Sequence, residues 1–176
     1  MSMSKIIMGV GLPGSGKTTA LKQFADKNSY VYICPDDIRT ELTGNASDQS
    51  KNREVWTEAH KRTANALEKG ENVVFDATFA RDSERKNFIT FAREHGAEKI
   101  QGVVVDVDFE TASERNKMRD RVVPEYAMKK MHSMLSEAPP EITDGFDSIF
   151  IIDEFQKLKH VEIGGEHKIV REFKIR

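Results

Sequence analysis

The octapeptide GLPGSGKT, Gly11 to Thr18, is the stretch whose residue types and spacing most sharply define a chemistry. Glycines at 11, 14 and 16 let backbone N–H groups curl around an anion at a helix start, where the helix dipole also favours negative charge. Pro13 and Ser15 complete the cradle. Lys17 is spaced to reach the β- and γ-phosphates of a nucleoside triphosphate, and the Thr18 hydroxyl to ligate Mg²⁺, with Thr19 beside it. The pattern predicts a bound triphosphate without saying what becomes of it. A kinase, an NTPase motor or switch, and a nucleotide-binding regulator all use this loop. The chain has no room for a helicase-like second lobe and no Asn-Lys-x-Asp guanine motif, so the motor and the switch are disfavoured.

Three further constellations carry charge. YVYICPDDIR, Tyr30 to Arg39, is an apolar run ending in paired carboxylates and a cation. Asp36 at such a strand end can accept a proton from an attacking hydroxyl, and Arg39 can hold an anionic acceptor bidentately. Asp37 reads as a helix cap. VVFD ends in Asp76, placed like the carboxylate of a Walker B strand and suited to the metal's water shell or the acceptor. Between Ser113 and His132 six cations face three anions, and Arg115 and Arg119 stand four apart, predicting one helix face able to clamp phosphate. Asp106 and Asp108 alternate at the end of VVVDVDF, which could turn one of them to the donor side, and Trp56, beside Val55 and Ala59, reads as helix core in preference to a base-stacking platform. The five histidines share no metal-ligand spacing. Cys34, the single cysteine, reads as a small buried hydrophobe in a reducing compartment.

Five β-branched runs must position these groups: Lys5–Val10, Tyr30–Ile33, Asn72–Phe75, Ile100–Val107 and Ser148–Ile152. Most are continuous and not alternating, as in strands buried on both faces. Helical periods separate them over Lys17–Lys27, Asp48–Lys69, Asp82–His95, Phe109–Arg119 and Pro124–Glu137, with Gly96 as a left-handed cap and Pro124 in a first turn. Alternation of this kind predicts an α/β three-layer sandwich, a five-stranded parallel sheet with helices on both faces. The strand ends then share one edge, and the second strand is expected beside the first. Ala138–Gly145 reads as a loop, and His167–Arg176 as a short edge strand that either finishes the sheet or pairs across a homo-oligomer interface.

Composition sets outer limits. With 176 residues the chain is read as a single domain over 1–176, with an arginine-bearing lid at about 113–124 and a C-terminal extension at about 154–176. A net charge of −2 gives no global basic field for nucleic acid. No apolar run approaches the roughly 20 residues that span a bilayer, and the N-terminus lacks a signal-peptide core, so a cytoplasmic location without membrane contact is expected.

GLPGSGKT followed by PDDIR at this separation resembles the 5′-hydroxyl polynucleotide kinase family, best known from T-even bacteriophage. The likeness continues through FDATFARDSERKNFITFAREHG and RNKMRDRVVPEYAMKKM, in the same order, over about residues 5 to 135. It implies a P-loop kinase fold, ATP or GTP as donor with Mg²⁺, and a single-stranded or end-exposed nucleic acid bearing a 5′-OH, as in nucleic-acid repair. It further implies Asp36 as general base, Arg39 on the acceptor's phosphate, and Asp76 and Thr78 at the acceptor end. Lys17 and Thr18 would hold the donor's phosphates and metal, with Asp76 near the metal. Arg119 would stabilise the transferring phosphoryl group, while Arg115 and Arg121 would support donor binding. The chain departs from the family pattern at Pro35, where the phage-type enzyme carries an arginine, and by one residue fewer between Arg119 and Pro124. No phosphatase domain follows, so a separate phosphatase or ligase partner is expected. The rival reading is a kinase of this fold acting on a nucleoside, a nucleotide or a sugar. Every residue named above except Arg39 and the Asp-x-Thr element would serve it equally.

Overall fold

The run SKIIMGV forms β1 (Ser4–Val10), at the middle of the sheet, and alternation along it feeds two cores. Ile6, Met8 and Val10 are buried on one face, and Ile7 on the other. A computed structural model describes residues 3–163 and 166–168. It contains α1 (Lys17–Asn28), β2 (Val31–Ile33), α2 (Pro35–Thr43), α3 (Asn52–Glu68), β3 (Val73–Asp76), α4 (Asp82–Glu94) and β4 (Ala97–Val105). These are followed by α5 (Phe109–Lys117), α6 (Glu125–Glu137), a 3-10 turn at Ile142–Asp144, β5 (Ser148–Ile152), β6 (Leu158–Ile163) and β7 (Glu166–Lys168).

The strand order is β2-β3-β1-β4-β5-β6-β7. β2, β3, β1, β4 and β5 pair in parallel, as expected from the alternating pattern, and β6 and β7 continue the sheet antiparallel. Among the described residues the sheet therefore has seven strands and not five. β6 was hidden because LKHVEI is half solvated, burying chiefly Leu158 and Val161 against the α1 face. Of the expected edge strand at 167–176, β7 includes His167 and Lys168; residues 169–176 lie outside those described.

A second correction concerns β2, which does not lie beside β1. β3 takes that place, and β2 is the edge. The reason is burial: all four residues of VVFD are buried and need neighbours on both sides, whereas Val31 and Tyr32 remain partly exposed. Gly9 serves packing here, because a Cβ on it would stand 2.3 Å from Leu21 Cδ1; the bare backbone lets α1 press against β1.

Local signals set the helix ends. α2 begins at Pro35, two residues ahead of the expected cap at Asp37, just after a three-residue strand. Pro35 in its first turn, Asp36 and Asp37 near its N-terminus and Gly44 in the left-handed region after it are all favourable there. Neither aspartate caps it by a side-chain bond, and Asp37 stands half-exposed, 3.9 Å from Lys22. α3 begins at Asn52 and not Asp48, whose carboxylate instead accepts from Ser50 N. α5 ends at Lys117, so Arg119 falls beyond it and shares no helix face with Arg115. The buried Asn116 stops the helix: its amide donates to Val123 O (2.8 Å) and accepts from Val123 N (3.0 Å), closing the loop that carries Arg119 and Arg121.

Candidate active site

The phosphate loop sits between β1 and α1, and its glycines meet specific steric demands. Gly14 (φ 82°) lies so close to α5 that a Cβ would stand 2.3 Å from Ala112 O, and Gly16 (φ 88°) turns the chain into α1. The backbone is fixed by Ser15 N donating to Leu12 O (3.1 Å) and Gly11 N to Thr78 O (3.3 Å). Ser15 Oγ is buried without a hydrogen-bond partner among the described residues. A buried hydroxyl of this kind is costly unless a ligand meets it, which suits a loop built for phosphate oxygens.

β3 delivers Asp76 beside β1, in register with Gly9. Its carboxylate accepts from Lys17 Nζ (2.6 Å) through Oδ1, and from Thr18 Oγ1 (2.7 Å) and Tyr32 Oη (2.5 Å) through Oδ2. Burial alone would raise this carboxyl, but the Lys17 ammonium, reinforced by the three hydrogen bonds, holds it below the usual carboxylate range. Burial, followed by the Asp76 charge, pushes the Tyr32 phenol up, and the same two causes push the Cys34 thiol up to about 11. Cys34 is therefore a buried thiol, as expected, and inert.

Facing the loop, the first turn of α2 presents Asp36. Arg39 Nη1 donates to its Oδ1 (2.6 Å), and Arg121 Nη1 donates to the same atom from the α5–α6 loop. Asp36 Oδ2 has no partner among the described residues. Arg39 is nearly fully buried; its Nη2 donates to Asn52 Oδ1 (2.9 Å) while its Nε is left without a partner. Arg119 is half-buried, and its side chain makes no hydrogen bond or ion pair among the described residues. Arg115 Nη2 donates to Glu154 Oε2 (2.9 Å).

A cleft of about 850 Å³ collects these groups. Pro13, Gly14, Ser15, Gly16, Lys17, Thr18, Thr19, Asp36, Arg39, Asp76, Thr78, Arg115 and Arg119 all line it, as does Arg121. Gly11 does not; it anchors the loop from behind. Asp106 pairs with Lys159 at the surface (2.7 Å), and Asp108 caps α5 by accepting from Thr111 N (2.9 Å). Trp56 packs against the core that holds Val55 and Ala59, as expected, but its half-buried side chain also lines the cleft with His60. Tyr32, Asn52 and the Arg121–Asp36 contact were not foreseen. Each depends on partners brought together by the sheet, which no local spacing encodes.

One side chain holds the far wall in shape. Arg85, fully buried, pairs through Nε with Asp144 Oδ2 (2.7 Å) and donates to the carbonyls of Phe79 (2.9 Å) and Ala138 (2.7 Å). Phe79 sits at φ 47°, a conformation that a bulky residue adopts only when its surroundings enforce it. Among the described residues no cluster of three or more metal-ligating side chains occurs. Mg²⁺ needs none, because it is commonly held by one or two protein oxygens and substrate phosphates. Thr18 and Asp76 offer such oxygens.

A phosphate-binding loop on a largely parallel sheet, faced by a segment carrying three arginines, defines a P-loop kinase fold. The chain belongs to the AAA domain family, whose model matches residues 6–138. It is 26% identical over 140 residues to a protein of Acanthamoeba polyphaga mimivirus described as a bifunctional polynucleotide phosphatase/kinase, covering 80% of this chain and 27% of that one. Among solved structures, a chain of the Pnkp1/Rnl/Hen1 RNA repair complex superposes with a TM-score of 0.71 at 22% identity, over 84% of this chain and 47% of that one. A gluconokinase from Sinorhizobium meliloti superposes with a TM-score of 0.54 at 20% identity, over 88% and 83%. The chain thus spans about a quarter of the mimivirus protein and about half of the repair-complex chain.

Proposed function

We propose that this protein is a kinase that transfers the γ-phosphoryl group of ATP to the 5′-hydroxyl of a DNA or RNA strand. The observation that carries the reading is the pairing of Asp36 with Arg39 across the cleft from Lys17. One turn of α2 offers an open carboxylate oxygen and a buried guanidinium whose Nε lacks a partner. An acceptor with a hydroxyl and a nearby phosphate diester answers both. The similarity to the mimivirus protein adds support.

Asp36 Oδ2 takes the proton of the 5′-hydroxyl as its oxygen bonds to the γ-phosphorus, and the bond from that phosphorus to the bridging oxygen breaks to release ADP. Lys17 and the loop N–H groups hold the donor's phosphates, and Arg119 neutralises charge on the transferring group. Thr18 and Asp76 would hold Mg²⁺, which would supply charge neutralisation for the donor's phosphates. The bonds now joining Asp76 to Lys17 and Thr18 keep all three groups oriented for that role. The segment around 113–124 acts as a lid, the described residues form one domain, and the protein works in the cytoplasm. Among the described residues no helix is long and apolar enough to cross a membrane.

The gluconokinase likeness, which covers most of that enzyme, favours a second reading: a small alcohol as acceptor. Release of ADP separates the two. A 5′-hydroxyl oligonucleotide should stimulate it and the same oligonucleotide carrying a 5′-phosphate should not. Stimulation by gluconate or another sugar, with none by the oligonucleotide, would move the acceptor to the second class.

A further inference from the structure

We infer that Trp56 and His60 form a subsite for the planar base of the acceptor's terminal nucleoside. The inference rests on the reading above and extends it to the identity of the group beside the reacting sugar. Asn52, Trp56 and His60 stand four apart on α3 and all line the cleft. Spacing of that kind sets them on one helix face, with steps of about 6 Å along the axis. The near end is tied to the acceptor end of the site, because Asn52 Oδ1 accepts from Arg39, which in turn holds Asp36. A nucleoside whose phosphate meets Arg39 would extend its base along this row.

The chemistry of the row suits a flat ring. Trp56 and His60 are half-buried members of an aromatic cluster that includes the buried rings of Phe75 (6.1 Å between centroids from Trp56) and Phe88 (5.7 Å from His60), and the half-buried Phe91 packs edge-on against His60 (4.6 Å). This packing fixes their orientation, so stacking costs little side-chain entropy. His60 is held further by Nδ1, 2.7 Å from Trp56 O. A carbonyl only accepts, so Nδ1 carries the hydrogen, and in the neutral ring Nε2 is an acceptor with no partner among the described residues. It can receive the exocyclic amine or ring N–H of a base. Phe79 and Phe88 also line the cleft, as do the polar side chains of Gln49, Glu84 and Asn87.

Trp56 is the single tryptophan of the chain, so its fluorescence reports on this subsite without catalysis. The full-length protein, without ATP, should lose emission on titration with a 5′-hydroxyl oligonucleotide, but not with one whose 5′-terminal residue is an abasic deoxyribose. In steady state the abasic acceptor should show a KM about tenfold higher or more, and Trp56→Leu should erase that difference between the two acceptors. Equal KM values for the two acceptors on the wild-type protein, or equal effects on emission, would overturn the subsite and leave the kinase reading standing. Quenching by nucleoside 3′-monophosphates without phosphorylation of any 5′-hydroxyl acceptor would support the base subsite and overturn the assigned reaction.

Discussion

Arg121 donates to Asp36 Oδ1 from 85 positions further along the chain, on the same oxygen that Arg39 already occupies. Two guanidiniums thus converge on one atom and leave Oδ2 open. The contact joins α2 to the α5–α6 loop across the mouth of the cleft. Asp36→Asn keeps the volume and an acceptor oxygen but removes the base and the charge that both arginines face. It should lower kcat by about a hundredfold or more, while donor affinity, followed by a fluorescent ATP analogue, stays within a few-fold. A variant retaining most of its rate would show that Asp36 is not the base.

Arg119 and Arg121 should separate by kinetics. The half-buried Arg119 side chain is unengaged among the described residues, so Arg119→Ala should act on the chemical step, with a loss of about 10³ in kcat and little change in donor KM. Arg121→Ala frees Asp36 from one guanidinium and loosens the loop, so KM for the acceptor should change more than kcat. The opposite split would exchange the two roles.

Asp76 makes stability depend on acid. Its folded carboxyl lies below the ordinary value of about 3.9. The stabilisation is therefore complete above that value and is lost as pH falls through the folded one. Thermal melts should show Tm dropping as the solution is acidified below about pH 4, and the drop should shrink in Asp76→Asn. That variant also leaves the Lys17 ammonium buried without its partner, so its Tm at neutral pH should be lower. An unchanged acid limb would assign it to other carboxylates.

The Arg85–Asp144 pair offers a test of packing. Both side chains are almost wholly buried, and removing one partner of such a pair costs about 3–5 kcal/mol. Urea unfolding should find Arg85→Met destabilised on that scale, because the carbonyls of Phe79 and Ala138 lose their donor and Asp144 loses its charge partner, keeping only the Glu141 N–H. The double variant Arg85→Met/Asp144→Leu should recover part of the loss. Additive losses would mean that the carbonyl bonds, and not the charge pair, carry the effect.

The phosphate loop and the Asp36–Arg39 turn were legible in the sequence because each is a run of a few residues whose spacing is its own geometry. The parallel core was legible for a similar reason, since VVF and SIFII are apolar without alternation. What escaped the sequence depends on distant partners. The edge position of β2 follows from the complete burial of β3, and the termination of α5 from a side-chain bond between Asn116 and Val123. Trp56 has core neighbours on both sides, and only the position of α3 against the cleft separates it from Val55 and Ala59.

The most direct test of the account is the fate of the γ-phosphate. Wild-type protein, Mg²⁺ and γ-labelled ATP would be incubated with a 5′-hydroxyl oligonucleotide, a nucleoside 3′-monophosphate and a set of sugars, and the labelled atom located by digestion to mononucleotides. Label should appear at the 5′ end of the oligonucleotide and be abolished in Asp36→Ala. Label confined to a sugar, or oligonucleotide label that survives in Asp36→Ala, would contradict the account.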